Sequence, residues 1–264
     1  MTIIVGTDGT ARGIAAEEWA AAEAHRRGAA LRIEYAFDWD WHTSGQDLDR
    51  EYVGMARKIA GGIVAEAYRR ARYPYPGLEI ETETLIGDTG PRVDGAELLV
   101  LGDRGRSDLV LGPAGRQLIT MTRCPIVVVR GRESPDGPVA AGIDDTAIAD
   151  QILAAAFDAA ALRRNGLTVV HSVTPAAPGK QTELARIELK LTSWRIKYPT
   201  VNVETVLTQD SAASALVRGS RDNQLVVVGM RERANSGETV LGSVGLQLIH
   251  HAQCPVLIVR GTAA

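Results

Sequence analysis

Cys124-Pro125-Ile126-Val127-Val128-Val129-Arg130-Gly131 returns as Cys254-Pro255-Val256-Leu257-Ile258-Val259-Arg260-Gly261, 130 positions further along the chain. Upstream, Leu111-Gly112-Pro113-Ala114-Gly115 is matched at the same offset by Leu241-Gly242-Ser243-Val244-Gly245. The openings match as well: Ile4-Val5-Gly6-Thr7-Asp8-Gly9-Thr10 against Ala140-Ala141-Gly142-Ile143-Asp144-Asp145-Thr146. Self-similarity at a fixed period marks a duplicated structural unit. The chain therefore reads as two copies of one unit, domain 1 over 1–133 and domain 2 over 137–264. Arg132 to Pro138 carries two prolines, a glycine and charges, which suits a linker.

Each copy alternates apolar, β-branched runs with amphipathic stretches of helical period. Strands are expected near 2–7, 30–36, 78–85, 97–102 and 125–130. In the second copy they are expected near 138–143, 167–172, 201–207, 224–229 and 255–260. Leu98-Leu99-Val100-Leu101 and Leu225-Val226-Val227-Val228 are apolar throughout, as strands covered on both faces must be. Helical spacing runs over 12–28, 49–72, 146–165 and 180–198. Strands alternating with helices give βαβ units and, in each copy, a doubly wound five-stranded parallel sheet. Segment 86–96 is too short for a full helix between strands three and four, whereas 210–221 in the second copy is long enough.

Bulk composition removes several functions. Hydrophobic residues are 45% and charged residues 23% of the 264, so the chain is globular. A net charge of −3 points to neither nucleic acid nor an anionic membrane surface. No apolar run reaches the roughly 18 residues that cross a bilayer. The N-terminus reads as a strand, not a signal peptide, and two cysteines imply no disulfide framework, so a cytoplasmic location is expected.

In a doubly wound sheet, ligands bind beyond the carboxyl ends of the strands where strand order reverses. No G-x-G-x-x-G follows the first strand, and neither a G-x-x-x-x-G-K-[ST] loop nor a G-x-S-x-G elbow exists. A carboxylate follows strand one instead, Asp8 in one copy and Asp144 in the other. It accepts hydrogen bonds, from a nucleobase amino group or ribose hydroxyl, or from the free N–H groups of the next helix. After strand four come glycines that let backbone approach a ligand: Gly102, Gly105 and Gly112 in copy one, Gly229 and Gly242 in copy two. A helix beginning at 243 offers its free N–H groups to an anion, with the Ser243 hydroxyl as a further donor.

These residues resemble the universal stress protein family in its tandem form. The opening Val5-Gly6-Thr7-Asp8-Gly9-Thr10 and the ending His250-His251-Ala252-Gln253-Cys254-Pro255 are characteristic, and the resemblance covers nearly the whole chain. It implies a Rossmann-like fold of the adenine nucleotide alpha hydrolase type and a non-enzymatic stress-response regulator or scaffold. It also implies ATP, with Mg2+, or another adenine nucleotide as ligand. Carried over by position, the binding residues are Asp8, Gly102, Gly105 and Gly112, with Asp144, Gly229, Arg231, Gly242 and Ser243 in the second domain. The alternatives are a nucleotide-independent interaction module and a slow ATPase. By analogy the two final strands pair as an intrachain pseudo-dimer, with a homodimer as its intermolecular counterpart; a protein partner is expected but not identified.

Both copies depart from the pattern. Between Gly105 and Gly112 the loop is three residues short, and Pro113 removes a hydroxyl and an N–H. In copy two the loop length and Ser243 are kept, but Glu232 stands at the second glycine position. A carboxylate about 5 Å from a phosphate repels it by roughly 3 kcal/mol at an effective dielectric near 20. A non-glycine residue also loses the freedom of positive φ, and the charge of Arg231 beside it partly compensates the repulsion. Nucleotide is therefore expected in domain 2 rather than domain 1. His250, His251 and Cys254 read as a helix end and a buried thiol, not metal ligands. Trp39 and Trp41 read as a packed flap or partner contact beside the cleft.

Overall fold

The computed structural model describes residues 1–37, 50–86, 93, 95–103, 122–173, 179–232 and 239–261. The chain forms two compact units, Met1–Val129 and Arg130–Ala264.

In unit 1, β1 (Thr2–Thr7) leads to α1 (Ala11–Arg27), then β2 (Ala30–Phe37), α2 (Arg50–Arg72), β3 (Ile80–Ile86), β4 (Leu98–Gly102) and β5 (Ile126–Val129). The strands are parallel in the order β3-β2-β1-β4-β5, so the chain reverses direction across the sheet between β1 and β4. Ile3, Ile4, Val5, Leu99 and Val100 are all fully buried, which is why these strands carry apolar residues at successive positions rather than alternate ones. The alanines Ala16, Ala20 and Ala24 let α1 lie close against the sheet. Thr10 caps its start by accepting the Gly13 N–H (3.3 Å). Gly28, at φ 61°, ends it in the left-handed region.

Unit 2 repeats the plan. β6 (Val139–Gly142), α3 (Ala149–Arg163), β7 (Leu167–Ser172), α4 (Lys180–Lys197), β8 (Val203–Thr208), α5 (Ala212–Gly219) and β9 (Leu225–Gly229) follow in turn. A two-residue hairpin, β10 (Arg231–Glu232) against β11 (Thr239–Val240), precedes α6 (Ser243–His251) and β12 (Val256–Val259). The parallel order is β12-β9-β6-β7-β8, and the reversal falls between β6 and β9. The core is centred on Leu153, Phe157, Leu167, Ile187, Leu191 and Leu216. Phe157 of α3 stacks on Trp194 (5.8 Å between centroids) and on Tyr198 (5.5 Å), which fixes α4 against α3.

The Rossmann-like α/β fold expected for both copies is present. Boundaries move in places. The strands expected at 78–85 and 201–207 run over Ile80–Ile86 and Val203–Thr208. The helix expected from 146 begins at Ala149, because the residues before it are spent on the turn described below. The shortened loop with Gly105, Gly112 and Pro113, most of segment 86–96, and Trp39 and Trp41 lie outside the described residues.

Among the described residues no helix is long and apolar enough to cross a membrane, and no cluster of three metal-binding side chains occurs. His250 and His251 sit exposed at the end of α6. Cys254 is fully buried, and burial first, then the nearby Glu133 charge, pushes its thiol up to about 12. The thiolate is the reactive form. Cys254 is therefore expected to resist alkylation by iodoacetamide at pH 8 in the folded chain and to react once the chain is unfolded, as read by mass spectrometry.

Candidate functional site

Both carboxylates that follow the first strand of each unit enter the same local structure. Asp8 Oδ1 accepts the Thr10 N–H (3.0 Å) and the Thr10 hydroxyl (2.6 Å). Asp144 Oδ1 accepts the Thr146 N–H (3.1 Å) and the Thr146 hydroxyl. This is the self-bonded turn that aspartate favours. In unit 1 the threonine then caps α1, so the capping work is passed from Asp8 to Thr10. In unit 2 the turn ends earlier than the helix begins, and Ile148, the residue before α3, gives it no side-chain cap. Tyr35, at the carboxyl end of β2, has its phenol raised first by burial and then by the Asp8 charge, which places the Asp8 carboxylate beside that strand end.

Around the Asp144 turn lies a cavity of about 340 Å³ at the reversal between β6 and β9. That is within the range of small-molecule sites. Asp144 and Thr146 contribute polar groups, with Ser172 from the end of β7 and Ser211 at the start of α5. Ile143, Ile148, Ile152, Leu216 and Met230 supply apolar walls. Gly229 and Gly242 bring backbone to the edge. A Cβ at Gly229 would stand 2.9 Å from Ile152 and 3.0 Å from Ile148, so any larger residue there crowds the wall. Gly242 precedes α6 without a side-chain cap, which leaves the first N–H groups of that helix facing outward at this rim.

The sequence-derived set is thus only partly assembled. Asp144, Gly229 and Gly242 line the cavity together, whereas Ser243 begins α6 as an exposed residue and is not part of the lining. Arg231 and Glu232 form strand β10, with Glu232 opposite Thr239. An extended backbone needs no positive φ, so the conformational penalty expected from replacing glycine by Glu232 does not arise. In unit 1, Asp8 and Gly102 stand at the corresponding strand ends, and Gly105 and Gly112 lie outside the described residues. Ser172 and Ser211 were not anticipated; their signal was only their place at a strand end and a helix start.

The two units differ at a pair of matched positions. The N–H of Asp103 bonds the Val129 carbonyl (3.1 Å), and the N–H of Met230 bonds the Val259 carbonyl (2.9 Å), so these residues are equivalents after β4 and β9. Four residues after each aspartate stand Arg12 and Ile148. In unit 2 this pair, Ile148 and Met230, lines the cavity. In unit 1 it is an ion pair: Arg12 Nη1 bonds Asp103 Oδ1, with the Asp103 side chain only 4% exposed. Gly102 allows this approach, since a Cβ there would sit 2.7 Å from the Arg12 carbonyl oxygen. At these matched positions unit 1 therefore carries an ion pair, while unit 2 carries apolar cavity walls.

The back of the cavity is braced from α4. His171 Nδ1 lies 3.1 Å from the Ile143 carbonyl, and because a carbonyl only accepts, Nδ1 carries the proton. Its Nε2 is 3.8 Å from Glu183 Oε2. Glu183 accepts from Arg186 Nη2 at 2.6 Å, and Arg186 Nη1 bonds Asp145. That guanidinium bond holds the Asp145 carboxyl below its ordinary range. The contact is accordingly present at neutral and mildly acid pH and is lost only as pH falls through the depressed value.

Comparison with known proteins agrees with this architecture. The universal stress protein family model matches residues 1–130 and again 137–260. The universal stress protein Rv2005c of Mycobacterium tuberculosis is 30% identical over 293 residues, covering 98% of this chain and 96% of its own. A second from that organism, Rv2623, is 27% identical over 288 residues with the same coverage. A crystal structure of a universal stress protein from Archaeoglobus fulgidus superposes with a TM-score of 0.77 at 16% identity, covering 98% of both chains. Two matches to one family model, on a fold with two successive units of the same strand order, make the chain a tandem member of the universal stress protein family.

Proposed function

We propose that this protein is a non-enzymatic stress-response regulator whose second unit holds an adenine nucleotide, with unit 1 acting without one. The observation that carries this reading is the cavity of about 340 Å³ where β6 and β9 part, with Asp144, Gly229 and Gly242 on its lining. Its chemistry suits such a ligand in three ways. Branched aliphatic walls accept the faces of a purine ring. The Asp144 carboxylate accepts hydrogen bonds from an exocyclic amino group or a ribose hydroxyl. The uncapped N-terminus of α6 offers N–H groups to phosphate oxygens. Asp144 is the sole titratable side chain among the described lining residues, and it is engaged by Thr146. A site with no second acid–base group favours holding a ligand over hydrolysing it. ATP with Mg2+ remains the ligand that the family resemblance implies.

For unit 1, the Arg12–Asp103 pair favours a nucleotide-independent role. The expected result for purified chain, heated to release bound small molecules, is adenine nucleotide in the supernatant at no more than one per chain. A supernatant without purine absorbance, together with no binding heat for ATP, ADP or AMP with and without Mg2+, overturns the proposal.

A further inference from the structure

We infer that His171, Glu183 and Arg186 are positioning residues of the unit 2 cavity: they hold the Ile143–Thr146 turn, and with it the Asp144 carboxylate, from behind. This rests on the reading of that cavity as a ligand site. The turn is short and has no side-chain cap on the helix that follows it. It is gripped at two points by groups outside itself. Ile143 is held through its carbonyl by His171 of β7 at 3.1 Å, and Asp145 is held through its carboxylate by Arg186 of α4. Between these two anchors stands Glu183, whose Oε2 accepts from Arg186 Nη2 (2.6 Å) and Nε (3.2 Å) and faces His171 Nε2 at 3.8 Å. Arg186 thereby ties Asp145 to Glu183 at one end of the turn, and His171, packed beside Glu183, holds the other end at the Ile143 carbonyl.

The inner half of this set is buried, while Arg186 and Asp145 reach the surface with 38% and 59% of their side chains exposed. The His171 and Glu183 side chains are each 8% exposed, and Glu183 Oε2 accepts charge-assisted hydrogen bonds from both Nε and Nη2 of Arg186. Asp144 and Ile143 line the cavity, while Asp145 between Asp144 and Thr146 points to Arg186. A displacement of Asp145 therefore moves the backbone that aims Asp144. Arginine is specifically suited here, since it bonds Asp145 and Glu183 at once; lysine, with a compact ammonium, does not reproduce the fork.

Hydrogen exchange on the full chain without ligand tests the brace directly. Glu183→Gln and Arg186→Lys are expected to raise exchange at the amides of Asp144, Asp145 and Thr146 by about tenfold, the change given by losing one strong charge-assisted contact. Exchange at Val226–Val228, in the buried strand β9 of unit 2, is expected to stay as in the wild type, which a general loss of stability would not allow. Arg195→Ala, which removes the separate Arg195–Glu188 pair on the same helix, is expected to leave the turn unchanged. In titrations with AMP, Glu183→Gln is expected to weaken binding about tenfold. Unchanged exchange at Asp144–Thr146 in both Glu183→Gln and Arg186→Lys overturns the inference. Absence of AMP binding by the wild type counts against the nucleotide reading alone and leaves the exchange result to decide the brace.

Discussion

Phe157→Ala is expected to lower the stability of unit 2 by about 3–5 kcal/mol, the cost found when a large aromatic side chain is cut from a close-packed core. Phe157 is fully buried in the middle of α3. It is also the hinge of a three-ring stack, 5.8 Å from Trp194 and 5.5 Å from Tyr198, with those two rings 6.4 Å apart. Lys197 places its ammonium 5.3 Å from each of the latter two rings and closes the outer side of the stack. Alanine leaves a void between two helices whose other facing residues, Leu153, Ile187 and Leu191, are already buried and have little room to collapse. Chemical denaturation followed by tryptophan fluorescence reads the effect, since Trp194 reports on this contact. A loss under 1 kcal/mol would mean that α3 and α4 are held elsewhere.

Asp144→Asn is expected to cost adenine nucleotide binding ten- to a hundredfold while leaving the turn in place. The asparagine carbonyl still accepts the Thr146 N–H and hydroxyl, as Asp144 Oδ1 does. Its other terminal atom becomes an NH2 donor where the carboxylate offered an acceptor, so a ligand donor meets a donor. Loss of a hydrogen bond to a charged group removes about 1.5–3 kcal/mol, which sets the range. The matched change in unit 1, Asp8→Asn, is expected to leave binding unaltered, because the Arg12–Asp103 ion pair stands there in place of the apolar walls that Ile148 and Met230 supply in unit 2. Isothermal titration of both variants with AMP gives the comparison.

How far the sequence reached depends on what kind of order each element needs. Strands β1, β4, β6 and β9 are legible because burial on both faces leaves apolar residues at successive positions, and β12 because its Cys-Pro-apolar-Arg-Gly stretch repeats that around β5. Helix α3 was placed three residues early, since hydrophobic period cannot show that Thr146 is bonded back onto Asp144. Asp8 and Asp144 were found by their place after strand one, but both readings of them hold a share of the truth: one oxygen serves the local turn, and in unit 2 the residue also borders a cavity. Glu232 looked costly for want of positive φ, yet its backbone is a strand paired with Thr239. The Arg12–Asp103 pair joins residues 91 positions apart, and the His171–Glu183 contact depends on how α4 settles beside β7; neither leaves a periodic mark in the sequence. Glu183 and Arg186 alone, three apart on one helix, have the spacing of a pair.

The asymmetry between the two units is the centre of the functional account, and its most direct measurement is the stoichiometry of AMP binding by the full chain in isothermal titration. One site per chain is predicted, weakened at least tenfold by Asp144→Asn and unmoved by Asp8→Asn. Two equal sites, or one site lost with Asp8→Asn and kept with Asp144→Asn, would contradict it.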